Sequence, residues 1–237
     1  MLNQSLTYRH GLDKPIFFYT LQKDCNPKPE ISCWKTVVET EREVMILHTD
    51  TSGTPQGLKD AIKTVTDNED IKGLLIVSAD DNGFTPNVID PLLQDVAVPL
   101  FGGIFPKIIS GRKIVTKGSI VIGFNKEINI HIINDLSSST TEFDDIIDAL
   151  IPDTGDAKTM FVIVDGYSKR VDGLIESLFN IFGLELNYIG GGAGSVNPVK
   201  LDLKQMPCLF TNQGITKDAA ILALADIESG VGVSHGI

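Results

Sequence analysis

Several kinds of residue that would announce a chemistry are scarce or misplaced here. The chain has three cysteines in 237 residues, Cys25, Cys33 and Cys208. Their odd number and the lack of a Cys-x-x-Cys pair exclude a disulfide framework and a paired-cysteine site. A reducing compartment, the cytoplasm, is therefore expected. Four histidines, His10, His48, His131 and His235, stand without a second His, Cys or carboxylate at ligand spacing, so no metal site is expected. Basic residues are outnumbered: 20 Lys and Arg face 31 Asp and Glu, a formal net charge of −11. Such a surface repels nucleic acid and anionic membranes, and neither is expected as a partner. No apolar run approaches the roughly 20 residues that span a bilayer. Residues 1–14 hold no apolar core of signal-peptide length. No glycine-rich loop has the Gly-x-Gly-x-x-Gly or Gly-Lys-Ser/Thr pattern of a nucleotide site, and no cofactor is expected.

What is present is a regular α/β alternation. Residues 1–42 read as an N-terminal extension. It contains a strand-like run, Pro15 to Leu21, and a proline-bearing loop from Asp24 to Glu30. From Val44 to His48 the pattern is β-like. Leu58, Ala61, Ile62 and Val65 fall on one helical face. Gly73 to Val77 is a buried strand. Asn87 or Asp90 can cap a short helix carrying Leu92, Leu93 and Val96, with Pro91 in its first turn. Pro99 to Ile104 and Gly118 to Phe124 are strands, with a turn at Gly111-Arg112. The pattern then restarts with a strand at Ile128 to Ile133. Ser139 and Glu142 have the spacing of a capping box. Phe143, Ile146, Ile147 and Leu150 repeat the earlier helix face, and Met160 to Val164 repeat the buried strand. Val171, Leu174, Ile175, Leu178, Phe179 and Phe182 form an amphipathic helix closed by Gly183. Strand-like runs follow at Leu186 to Gly192, Met206 to Thr211 and Ala219 to Ala225.

The two series overlay. The first helix faces match at an offset of about 85 residues. Val77 falls on Ile163, Leu92, Leu93 and Val96 on Leu178, Phe179 and Phe182, Phe101-Gly-Gly on Ile189-Gly-Gly, and Val115 to Ile122 on Ile215 to Leu222. Five collinear matches in the same order point to duplication. The expected fold is α/β: two tandem β-α-β-α-β-β repeats with mixed sheets and helices packed on them. The first repeat covers residues 43–126 and the second 127–237. Ser229 to Gly236 resembles the start of another strand, as in a chain truncated before a C-terminal domain.

Few residues suggest a site. Gly102 and Gly103, and Gly190, Gly191 and Gly192 leading to Ser195, occupy equivalent places after buried strands. Glycine there lets a ligand approach the backbone, and exposed N–H groups can bind an anion. Tight strand packing or a bulge is the structural alternative. Asp80, Asp81 and Asp165 follow strand ends, where carboxylates line crevices of open α/β sheets and can hold an ammonium group. Loop solvation and helix capping are their commoner uses. His48 and His131 lie on strands and read as structural, whereas His235, between Ser234 and Gly236, looks placed for a site. Cys208 reads as core. Trp34 and Tyr188 read as single aromatics without a stacking pattern.

Taken together, Gly73–Val77, Pro99–Gly103, Gly118–Ile122, Tyr188–Gly194, Leu209–Gly214 and Val231–Gly236 resemble the N-terminal part of the FIST family. These are sensory domains of signalling proteins, and the resemblance spans roughly residues 43–237. It implies a small-ligand sensor, for amino acids or related metabolites, acting on a signalling partner. It also implies a C-terminal domain beyond Gly236, and Ile237 stands where such proteins often carry Trp. The expected ligand-binding residues are Gly102, Gly103, Asp165, Gly190, Gly191, Gly192, Ser195 and His235. An enzyme, a hydrolase or transferase using Asp165 and His235, is the competing reading. A ligand-free interaction scaffold is the third.

Overall fold

The computed structural model describes residues 45–195 and 206–230. The N-terminal extension with its expected strand, and the segment Val231–Ile237 with His235, lie outside the described residues. Among the described residues, twelve strands and four α-helices alternate in the mixed α/β fold expected. The first half contains β1 (Met45–Asp50), α1 (Pro55–Thr66), β2 (Gly73–Ala79), α2 (Pro86–Gln94), β3 (Leu100–Phe105), β4 (Ile108–Ser110), β5 (Lys113–Val115) and β6 (Ser119–Phe124). The second contains β7 (Ile128–Asn134), α3 (Phe143–Leu150), β8 (Thr159–Asp165), α4 (Val171–Phe182), β9 (Asn187–Ala193), β10 (Leu209–Thr211), β11 (Gly214–Thr216) and β12 (Ala219–Ala225).

The halves share one strand order. The first sheet runs β1-β6-β2-β3-β10-β11, and the second runs β7-β12-β8-β9. In each half, the last strand inserts antiparallel between the first and second, and the third strand lies parallel to the second. The hairpin β10–β11 leaves its own half and extends the first sheet, with Phe210 opposite Gly102.

Alternation along β8 shows how the layers stack. Phe161 and Ile163 face the first sheet, while Met160, Val162 and Val164 face α3 and α4. The Phe161 ring lies 5.4 Å from Phe101 and 5.6 Å from Phe124, both in the first sheet. α1 packs on β1 and β6 across the opposite face. The result is a helix–sheet–sheet–helix stack, in which β12 is buried along its whole length. Its all-apolar sequence, Ala-Ala-Ile-Leu-Ala-Leu-Ala, is what a strand covered on both faces requires.

Local signals explain most boundaries. The Thr54 hydroxyl accepts the Gly57 N–H at 3.0 Å, and Pro55 opens α1, where a missing N–H costs nothing. Gly183 ends α4 in a positive-φ conformation. Three expectations need correction. Pro86, not a residue near Pro91, opens α2, and Thr85 precedes it as the cap residue. Pro91 is therefore inside the helix, on its exposed face. The capping box at Ser139 does not form, because the helix begins at Phe143 and Glu142 makes no side-chain cap bond. Arg170 orders that entry instead, donating to the Ser138 and Thr141 carbonyls at 2.7 Å and lying 4.8 Å over the Phe143 ring. Tyr188 is not a solitary aromatic, since its ring packs 4.8 Å from Phe179.

Candidate functional site

β2 and β8 occupy the same place in their sheets, and each leads into a carboxylate. Asp80 follows β2, and Asp165 is the last residue of β8. Both are buried, Asp165 completely. These strand ends meet at a seam between the halves. There the Gly194 N–H donates to the Ile104 carbonyl, and the Ile104 N–H to the Cys208 carbonyl, both at 2.8 Å.

Asp165 organises the second half's side of the seam. Its Oδ1 accepts the Tyr167 N–H at 3.0 Å, and its Oδ2 accepts the Asp218 N–H at 2.7 Å. Asp218 sits at φ +49°, a backbone region unusual for a non-glycine residue. Its own Oδ1 accepts the Ser137 hydroxyl at 2.6 Å and the Ser168 hydroxyl at 2.9 Å. The first half solves the same corner differently. Gly118, at φ +136°, stands where the overlay places Asp218. Its N–H donates to Asn82 Oδ1 at 2.7 Å, and its carbonyl accepts Asn82 Nδ2 at 2.8 Å.

Asp80 reaches across the seam. Ser195 Oγ donates to Asp80 Oδ2, and the Tyr167 hydroxyl donates to the Ser195 carbonyl. The Tyr167 ring covers Gly194: a β-carbon there would lie 2.8 Å from Tyr167 Cε2, and φ is +144°. Burial raises the Tyr167 phenol above its ordinary value, and the charges of Asp80 and Asp165 push it the same way. Burial likewise drives the Cys208 thiol well up, aided by Asp165, with which it shares a hydrogen bond. One carboxylate from each half thus acts on a single, half-exposed hydroxyl. Such a spot favours a positively charged group.

The glycines lie inside strands rather than in turns after them. Gly102 and Gly103 are buried in β3 against β10, and Gly190, Gly191 and Gly192 are in β9. A β-carbon on Gly103 would meet the Cys208 carbonyl at 2.8 Å and Ala193 Cβ at 3.0 Å. That glycine is what lets the two sheets approach. The structure therefore brings Asp165, Ser195 and Gly103 to the seam, keeps Gly102 and Gly190 for strand contact, and does not describe His235. Sequence reasoning missed Tyr167, and it gave Asp80 as a strand-end carboxylate able to hold an ammonium group without placing it among the expected ligand-binding residues. An aromatic two residues past the strand-end Asp165 was the available signal.

A hollow among the described residues lies elsewhere. A cleft of about 760 Å³ opens at the N-terminal end of β3, lined by Pro99, Ile130, His131, Leu150, Thr154 and Gln213 among others. Desolvation holds the His131 imidazole below its ordinary pKa. Among the described residues, no three His, Cys, Asp or Glu side chains converge as a metal site would, and no helix is long and apolar enough to cross a membrane.

A family model described as FIST N domain matches residues 73–237, most of the chain. None of the curated proteins compared with the chain matches it.

Proposed function

This chain belongs to the FIST N domain family, a family of signal-transduction sensory domains, and we propose that it takes a small ligand bearing an ammonium group at the seam between its halves. One observation carries the reading: Asp80 from the first half and Tyr167 with Ser195 from the second form a single hydrogen-bonded chain across the seam. A primary amine, as in an amino acid, would be received by Asp80 and the Ser195 carbonyl. The fully buried Asp165 contributes charge from behind, since both of its oxygens already accept backbone N–H groups. Exchange of the Ser195–Asp80 bond for ligand contacts alters a link between the halves. Ligand binding is thereby coupled to their relative orientation, and through it to a signalling partner. A cytoplasmic setting, expected from cysteine usage, suits such a metabolite sensor.

The test is a thermal-shift screen of the full chain against L-amino acids and simple primary amines. A ligand held at 100 times its Kd adds about 2.7 kcal/mol of stability. Stabilisation that disappears in Asp80→Asn supports the reading, and absence of any shift across the panel contradicts it.

The cleft at the other end of β3 favours a second location on grounds of volume alone. About 760 Å³ lies within the range of small-molecule sites. Its lining is mainly aliphatic, with His131 held toward its neutral form, and an uncharged ligand suits it better than an amine.

A further inference from the structure

The two halves start their first helices differently. α1 is capped by its own chain, the Thr54 hydroxyl accepting the Gly57 N–H at 3.0 Å. Its counterpart α3 has no side-chain bond from its cap residue Glu142. Its eight residues make a marginal helix alone, and its entry is held from outside by Arg170. One guanidinium nitrogen donates to the Ser138 and Thr141 carbonyls, each at 2.7 Å, and the group lies 4.8 Å over the buried Phe143 ring. Arg170 is also the residue from which α4 starts, its carbonyl accepting the Leu174 N–H at 3.2 Å. A single residue thus fastens the entries of both helices, which pack on each other.

Arg170 stands three residues after Tyr167, a span of about 11 Å at most. Between them the chain has little freedom. Asp165 accepts the Tyr167 N–H on its side chain and the Ser168 N–H on its carbonyl, both at 3.0 Å. Ser168 Oγ donates to Asp218 Oδ1 at 2.9 Å, and the Lys169 N–H donates to Ser137 Oγ at 3.0 Å. Ser137 donates to the same Asp218 oxygen, through its N–H at 3.0 Å and its hydroxyl at 2.6 Å. A turn tied down at each residue shifts as one piece instead of absorbing a displacement at one end. Among the described residues, the first half shows no such arm: Asn82, after β2, bonds the Gly118 main chain at its own corner.

We infer that the turn from Tyr167 to Arg170 is the output arm of the seam, and that the first turn of α3 is the element it switches. With the Tyr167 hydroxyl on the Ser195 carbonyl, Arg170 is seated on Ser138, Thr141 and Phe143, and α3 is complete from Phe143 onward. When Tyr167 leaves Ser195, the arm shifts, the guanidinium releases both carbonyls, and the first turn of α3 frays. Latched and frayed are the two arrangements that coupling between distant sites requires. The inference rests on the proposed amine site for what displaces Tyr167. An amine that takes the Ser195 carbonyl competes with the Tyr167 hydroxyl, and so changes α3 without touching it.

The test needs no ligand. Residue-resolved amide hydrogen exchange of the full chain is compared for the wild type, Tyr167→Phe, Arg170→Gln and the double variant. Tyr167→Phe keeps the ring and removes the hydroxyl that donates to Ser195. The reporters are Ile147 and Ile146, whose N–H donates to the Glu142 carbonyl at the helix start at 3.3 Å. Leu222, fully buried in β12, is the control for global opening. The expected result is exchange at least about threefold faster at both reporters in Tyr167→Phe, unchanged at Leu222, with no further acceleration when Tyr167→Phe is added to Arg170→Gln. Arg170→Lys, which keeps the charge but not the planar fork, replaces Arg170→Gln if that variant does not fold. Unchanged reporters in Tyr167→Phe, equal acceleration at Leu222, or an effect of Tyr167→Phe as large without Arg170 as with it overturns the inference. A blank ligand screen removes the amine site and leaves this outcome standing, so the two failures are distinguishable.

Discussion

Gly190 lies so close to Val162 that a β-carbon on it would sit 1.7 Å from the Val162 carbonyl oxygen. Gly102 stands in the same relation to Ile76, at 1.9 Å. The paired strands approach at these points in a way no other residue permits. Gly102→Ala and Gly190→Ala should each destabilise the fold by more than about 2 kcal/mol. Gly83→Ala is the control: φ is +67° but nothing lies within 4 Å of the added carbon. It should cost about 1 kcal/mol from backbone strain alone. Urea denaturation of the three variants checks the order.

The sheet-to-sheet core is centred on Phe161. Its ring contacts Phe101 and Phe124 across the layer boundary. Phe161→Ala should cost about 3–5 kcal/mol, in the range of large-to-small aromatic truncations. Phe179→Ala, on the outer face of α4 and 48% exposed, should cost much less. A comparison of denaturation midpoints separates the two.

Asp165 accepts two backbone N–H groups, one on each oxygen. Asp165→Asn turns one acceptor into a donor facing a donor. A loss of about 1–3 kcal/mol is expected, together with faster amide exchange at Tyr167 or Asp218. Exchange unchanged at both amides would show that neither hydrogen bond holds the loop.

The alkaline side of the stability profile should slope downward. Burial raises Cys208 well above 9.0 and Tyr167 and Tyr188 above 10.0. A group with a raised folded-state pKa contributes stability that is complete below its unfolded pKa. That stability is lost as pH climbs through the folded value. Stability should therefore decline from about pH 9 upward. Cys208→Ala should flatten the first part of that decline, and chemical denaturation at stepped pH reads it.

Much of the fold was legible because burial periodicity is local. The face Leu58, Ala61, Ile62 and Val65 is buried as its spacing predicts, and β2 and β8 are buried along their full length. The hairpins were harder to read, since β10 and β11 have three residues each, too few to show an alternation. Their placement depends on a side chain far away in sequence. Asn212 donates to the Val96 and Val98 carbonyls at 3.1 and 3.0 Å, and Asp90 accepts the Ile215 N–H at 2.8 Å. The seam was only half legible. Asp165 and Ser195 were visible as polar residues beside strands and glycines. Tyr167 acquires a role only because Gly194 and Asp80 are brought to it by two separate sheets. Pro91 misled because its first-turn preference is a tendency, and an exposed helical face tolerates it.

The central claim is that an ammonium-bearing ligand is held where Asp80, Tyr167 and Ser195 meet. The most direct measurement is residue-resolved NMR of the full chain titrated with the L-amino acid or amine that gives the largest thermal shift. The account predicts saturable shift changes at Asp80, Tyr167, Gly194 and Ser195 that vanish in Asp80→Asn. Changes confined to Asn129, His131 and Gln213 around the distant cleft, or binding undiminished in Asp80→Asn, would contradict it.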